Sequence, residues 1–260
     1  MKPSIDAEWL ADQVVSPATP WTQVDTVATT GSTNADLAAA ARSGAASGAV
    51  LVSDHQSTGR GRFARTWTAP PGASLAISAL LRPPRAVPAR RWLWLPLLTG
   101  LAVADGVRES TGLRTELKWP NDVLIEGRKL AGILCERVDA GPAPAAILGM
   151  GINTTLAADE LPVPTATSVS LAGSAAAASD VAASVVRALG RWYTAWLSGA
   201  DLRDDYATRC STLDRAVRVE LSASESVTGQ ATGVDSDGCL LVFASGRERA
   251  FAAGDVVHLR

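Results

Sequence analysis

Apolar positions along the chain fall into two rhythms. Alternating or continuous aliphatic and β-branched runs predict strands over 22–28, 49–53, 74–81, 113–119, 123–125, 129–136 and 145–152. Spacings of three and four predict helices over 7–14, 33–46, 96–112 and 180–197. Pro17 and Pro20 break the first helix. Thr33, with Asp36 three residues on, resembles a capping box that opens the second. Pro96 starts the third and Gly112 stops it. Asp180 caps the fourth, where Val181, Val185, Leu189, Trp192 and Trp196 share one face and read as core. The alanine-rich run 172–179 reads as a linker, and Glu126-Gly127-Arg128 as a hairpin turn.

After residue 211 the pattern changes. Short strands are expected over 217–221, 227–234, 240–244, 249–252 and 256–259, with turns at Asp235-Ser236-Asp237-Gly238 and Ser245-Gly246. Closely spaced strands without helices predict a small β-barrel. The expected organisation is a short N-terminal extension (1–21), a main α+β domain (22–211) and a C-terminal barrel (212–260).

Composition narrows the class. A 260-residue chain with 47% hydrophobic and 19% charged residues suits a soluble globular protein. A net charge of -2 gives no global basic field for nucleic acid. Cys135, Cys210 and Cys239 are widely spaced, which reads as reduced thiols in a cytoplasmic protein. Two histidines without ligand spacing argue against zinc. The first residues lack the apolar core of a signal peptide. No run approaches the roughly 20 apolar residues of a membrane span.

Against this background, Gly59-Arg60-Gly61-Arg62-Phe63-Ala64-Arg65-Thr66-Trp67 concentrates three arginines and two glycines. Arginine presents a fixed fork of donors to phosphate or carboxylate. Taken alone, the segment reads either as a solvated charge run or as a mobile loop that folds over an anion. Lys118-Trp119-Pro120-Asn121-Asp122 places two polar side chains after a strand end, which alone is a turn. Lys129 opens a strand in which Gly132 suggests close approach of a ligand or backbone. Gly149-Met150-Gly151-Ile152-Asn153 ends a hydrophobic strand and is not a dinucleotide fingerprint, because no glycine-rich turn into a helix follows.

The order of these segments is more specific than any one of them. GSTN, QxxGRGR with a trailing tryptophan, KWPND, RKLAGIL with a following glutamate, and GxGIN together resemble the biotin protein ligases over residues 22–260. That resemblance implies a mixed sheet flanked by helices, of the class II synthetase type, followed by an SH3-like barrel. It implies ATP-dependent activation of biotin to biotinyl-5′-AMP, with Mg2+, and transfer to a lysine of a biotin carboxyl carrier domain of acetyl-CoA carboxylase or a related enzyme. Carried over by motif, Ser32, Thr33, Asn34, Gln56, Gly59, Arg60, Gly61, Arg62, Lys129, Gly132 and Gly149 would form the biotin site. Arg65, Trp67, Asn121 and Asn153 would meet the nucleotide. Lys129, Arg60, Arg62 and Asp122 would carry the chemistry, and no protein-held metal is expected.

Two departures from the family pattern stand out. Ala64 takes a place usually held by glycine, which would strain the loop if that position needs positive φ. About 20 residues precede the first strand, too few for the helix-turn-helix module some relatives carry. The expectation is therefore a ligase without sequence-specific DNA binding or membrane attachment, acting as a monomer or weak homodimer. A lipoate or octanoate ligase of the same fold and a non-catalytic biotin sensor are the alternatives.

Overall fold

A computed structural model describes residues 4–140, 143–222 and 224–259, omitting the side chain of Ala64. Seven strands form the main sheet: β1 (Gln23–Val27), β2 (Ala49–Ser53), β3 (Ser74–Leu81), β4 (Glu116–Lys118), β5 (Asp122–Ile125), β6 (Arg128–Val138) and β7 (Ala145–Asn153). Their order is β1-β2-β3-β7-β6-β5-β4. Only β1 and β2 run parallel, so the sheet is mixed.

Helix α1 (Ala7–Val14) packs on β1 and on α4 (Ala178–Leu197). Helix α3 (Trp94–Thr111) lies along α4, and both cover one face of the sheet. Helix α2 (Thr33–Arg42) covers part of the other face, and the short α5 (Arg203–Ala207) leads toward the C-terminal strands. The strand pleat sorts residues between these layers. Val50, Val52, Ile77, Ala79, Leu148 and Met150 face α3 and α4. Leu51, Leu80 and Ile147 pack with Leu37 and Ala41 of α2. Each fully buried Leu or Ile contributes roughly 1.5–3 kcal/mol. By the same alternation Ser78, Gly132, Gly149 and Gly151 face the α2 side, at and beyond the start of that helix, and leave a hollow there.

Some expected boundaries shift. The cap of α2 is Ser32, whose Oγ accepts from Ala35 N at 3.4 Å, and not Thr33; the helix ends at Arg42. Thr33 is drawn inward to other partners. Strand β4 is three residues long, because only 116–118 find partners on β5. Helix α3 begins at Trp94, two residues before Pro96, and ends before Gly112. Helix α4 begins at Ala178, so Asp180 lies in its first turn and does not cap it. Trp196 is buried as expected, while Trp192 is half-buried and donates to Asp105 Oδ2 at 2.9 Å.

The C-terminal strands are β8 (Ala216–Glu220), β9 (Ser226–Val234), β10 (Leu240–Ala244), β11 (Arg247–Phe251) and β12 (Asp255–His258). They form an antiparallel sheet in the order β11-β10-β9-β8-β12. This agrees with an SH3-like unit, although among the described residues the pairing does not close into a ring. Val217, Val219, Leu240 and Phe251 join the same apolar core as Leu117 and Trp119. Trp119 Nε1 donates to Gly238 O at 3.2 Å and Trp94 Nε1 to Ser236 O at 2.8 Å, so one tryptophan after β4 and one on α3 tie the β9–β10 turn to the main unit.

Candidate active site

The hollow on the α2 side opens into a cleft of about 300 Å³ between the two sheets. Its floor is bare backbone. Gly132 of β6 pairs with Gly151 of β7, and Leu134 with Gly149. A Cβ on Gly151 would stand 2.5 Å from Trp67 Cε2, and one on Gly149 would stand 2.2 Å from Asn34 Oδ1. Glycine is therefore required at both positions for the Trp67 indole and the Asn34 amide to lie against the strands.

The start of α2 forms one wall. Gln56 Oε1 accepts from Thr33 N at 2.8 Å and from Thr33 Oγ1 at 3.1 Å. Ser78 Oγ lies 2.7 Å from both Thr33 Oγ1 and Asn34 Oδ1. Asn34 Nδ2 donates to Leu134 O at 3.0 Å and to Glu136 Oε2 at 2.7 Å. Both Nδ2 protons of the buried Asn34 and one lone pair of its Oδ1 are thus engaged by protein, and the side chain braces the wall. Its neighbours Ser32 and Gln56 line the cleft.

The arginine loop forms the second wall. Its base is a narrow ladder in which Trp67 N donates to Gly59 O at 2.9 Å and Gly61 N to Arg65 O at 2.7 Å. Phe63 takes the left-handed conformation at φ 53 and ψ 42. The expectation of strain at Ala64 concerns a residue whose side chain lies outside the described part; the strained residue described in this loop is Phe63. Its ring is exposed, with Arg62 Cζ 4.9 Å from the ring centroid. Arg60 reaches Glu136 Oε1 at 3.5 Å. Arg62 Nη1 donates to Asn121 Oδ1 and to Gly254 O, each at 3.2 Å. Burial pushes the Arg62 pKa down, opposed by the charges of Asp255 and Asp122. Arg65 pairs with Asp255.

The third wall is the turn 118–122. Asn121 Nδ2 donates to Ile133 O at 3.0 Å, which holds the turn on β6. Lys129 Nζ meets Asp122 Oδ1 at 2.5 Å and lies 5.9 Å from the Trp67 ring centroid. Glu220, Asp255, Val256 and Val257 of the C-terminal sheet close the cleft. Arg60, Arg62, Arg65, Lys118 and Lys129 face it against Asp122, Glu220 and Asp255. In a chain of net charge -2 this is a local excess of cations, suited to holding two anionic groups side by side.

Most of the expected site residues therefore converge on one cleft. Gly59 is buried behind the loop base, and Asn153 is buried with its Nδ2 donating to Thr167 O at 2.9 Å; neither lines the cleft. Ser78, Glu136, Glu220 and Asp255 are at the site or brace it, and the sequence reading did not place them there. Glu136 follows RKLAGIL and carried a local signal; Asp255, 190 residues from Arg65, carried none.

Comparison with known proteins decides the family. Residues 28–153 match the Biotin/lipoate A/B protein ligase family model, and residues 212–259 match the Biotin protein ligase C terminal domain. A biotin–[acetyl-CoA-carboxylase] ligase of Mycobacterium tuberculosis is 42% identical over 100% of this chain and 98% of its own length. The chain belongs to the biotin protein ligase family. A second such ligase, from Paracoccus denitrificans, is 32% identical over 88% of this chain and 98% of its own. The fold is also that of a biotin protein ligase from Aquifex aeolicus solved with biotin and ATP, with a TM-score of 0.77, 24% identity, and coverage of 92% of this chain and 100% of that one.

Proposed function

We propose that the protein is an ATP-dependent biotin–protein ligase. It joins biotin to ATP to give biotinyl-5′-AMP and pyrophosphate. It then passes the biotinyl group to one lysine of a biotin carboxyl carrier domain of acetyl-CoA carboxylase or a related enzyme. The observation that carries this reading is the convergence of Lys129 and the arginine loop on a glycine-floored cleft, in a chain related over its full length to a named ligase.

The geometry supports the following roles. A carboxylate is a poor nucleophile toward an anionic phosphate, because like charges repel. Lys129, Arg60 and Arg62 neutralise both groups and bring a biotin carboxylate oxygen in line with the α-phosphorus. The new C–O–P linkage forms as the bond to pyrophosphate breaks. Ser32, Thr33, Asn34 and Gln56, with Gly132 and Gly149, shape the end of the cleft for a ureido ring, which needs short hydroxyl and amide partners. Gly59 and Gly61 shape the loop, while Arg65, Trp67 and Asn121 lie where the nucleotide enters. Asn153 acts from behind by fixing residue 167. The closed loop excludes water from the labile anhydride. The carrier amine then attacks the acyl carbon, AMP leaves, and Asp122 takes the proton.

Among the described residues no group of three or more His, Cys, Asp or Glu could hold a metal. Asp122 and Asp255 already face cations, so this donor set fits magnesium held on the nucleotide phosphates. Its chemistry there is to ease departure of pyrophosphate.

The remaining assignments belong to the same proposal: residues 22–211 as the catalytic domain after a short extension (1–21), residues 212–260 as its C-terminal unit, a monomer or weak homodimer, a cytoplasmic location and no sequence-specific DNA binding. No helix among the described residues is long and apolar enough to cross a membrane. The deciding experiment supplies ATP, magnesium and a carrier domain with either biotin or lipoate. Biotin-dependent adenylate and carrier labelling are expected. Lipoate-only activity, or biotin binding without labelling, would replace this reading.

A further inference from the structure

Asp255 is an unusual residue to find in a cleft that favours anions. It lies at the start of β12, directly opposite Glu220 on β8. Like charges directly opposite on neighbouring strands destabilise the pair. Glu220 is relieved by Arg218, whose Nη2 and Nε lie 2.8 and 3.1 Å from its Oε1. Asp255 is relieved from across the cleft. Its Oδ1 is 3.7 Å from Arg62 Nη1, and its Oδ2 is held by Arg65. The backbone just before it joins in, because Gly254 O accepts from Arg62. One carboxylate thus takes both arginines, one on each oxygen, where a phosphate group would engage the same guanidinium forks.

We propose that Asp255 is an internal counter-anion that occupies the arginine loop in place of phosphate. Nucleotide binding then displaces the C-terminal sheet's hold on Arg62 and Arg65. The inference rests on the reading of this cleft as a nucleotide site, and it names the residue that sets the nucleotide's apparent affinity. Asp255 is a positioning residue in this account, acting through the two arginines. It keeps the loop folded in the ligand-free protein and competes with ATP for the same donors.

The test compares Asp255→Asn with Glu248→Gln, which removes the same charge from the same sheet at an exposed position on β11 outside the cleft. Two quantities are read: the KM for ATP in biotin-dependent pyrophosphate exchange, and the rate at which trypsin cuts after Arg60, Arg62 and Arg65 in ligand-free protein. Asp255→Asn is expected to lower the KM for ATP about three- to tenfold, as loss of two partly exposed ion pairs allows. The KM for biotin should stay unchanged, and tryptic cutting should speed up several-fold. Glu248→Gln should leave both quantities near wild type. An Asp255→Asn protein with an unchanged or raised KM for ATP, or with wild-type cutting, overturns the proposal. Failure of the wild type to exchange pyrophosphate at all sinks the ligase reading instead, and the cutting rate, which needs no activity, still judges the latch.

Discussion

Lys129 Nζ stands 2.5 Å from Asp122 Oδ1, so the cation assigned to the reacting carboxylate is parked on a carboxylate of the protein. The pair is partly exposed, at 35% and 20% for the two side chains, so it adds little to stability. It does fix where the ammonium group points. Lys129→Ala should therefore lower biotinyl-adenylate formation by about 100-fold or more while leaving the thermal midpoint almost unchanged. Pyrophosphate release from ATP and biotin reports the first quantity and calorimetry the second.

In the proposed mechanism Asp122 has a second part to play once Lys129 has turned to substrate. Supplying preformed biotinyl-5′-AMP isolates the transfer step. With that substrate, Asp122→Asn should slow carrier labelling by about 100-fold, the usual scale for losing a positioned base. Wild-type transfer by this variant would remove the base role and leave Asp122 as the anchor of Lys129.

The glycine floor makes a sterically defined prediction. Gly151→Ala drives a methyl group into the Trp67 indole, and Gly149→Ala drives one into the Asn34 amide. Overpacking of this kind costs about 1–3 kcal/mol. Both variants should fold with lowered midpoints. Gly149→Ala should mainly weaken biotin binding, because Asn34 braces the helix wall. Gly151→Ala should mainly raise the KM for ATP, because Trp67 is the residue proposed to meet the nucleotide. Titration calorimetry with each ligand separates the two; identical losses for both ligands would contradict the assigned ends of the cleft.

The thiols should be inert in the folded protein. Burial pushes Cys135 up to about 12 and Cys239 to about 11, and it also raises Cys210. At pH 8 a thiol near 11 is about one part in a thousand thiolate, and the thiolate is the reactive form. Iodoacetamide at pH 8 should add nothing to the native chain within minutes and three groups after unfolding. Intact mass measures both; rapid native labelling would show that the thiols are more open than their packing indicates.

Local signals made much of this architecture legible. The strand expected over 74–81 forms as β3, and its eight residues, apolar but for Ser74 and Ser78, are all buried. Gly132 of β6 suggested the close approach of a ligand or another backbone, and the group that lies there is the Trp67 indole. Long-range partners left no such trace. Thr33 looked like a cap because it precedes Asp36, yet Gln56 and Ser78 draw it inward and Ser32 does the capping. Asp255 reads as an ordinary residue at a strand start. Only the packing of the second sheet against the first brings it to Arg62 and Arg65.

The same packing predicts an acid sensitivity. Trp119 N donates to Thr212 Oγ1 at 3.1 Å, and that oxygen lies 3.1 Å from His258 Nε2. While accepting from Trp119 the Thr212 hydroxyl keeps its own proton, so it can donate to an unprotonated Nε2. Burial first, then the charges of Lys118 and Arg215, push His258 from 6.5 down to about 4. Between these values the unfolded chain binds the proton and the folded chain does not, so stability falls as pH drops from about 6.5 to about 4. The strain falls on the link that holds the 118–122 turn to the C-terminal sheet. His258→Gln removes the titration, so its thermal midpoint should decline less between pH 7 and pH 5 than that of wild type. Parallel declines would place the acid sensitivity elsewhere in the molecule.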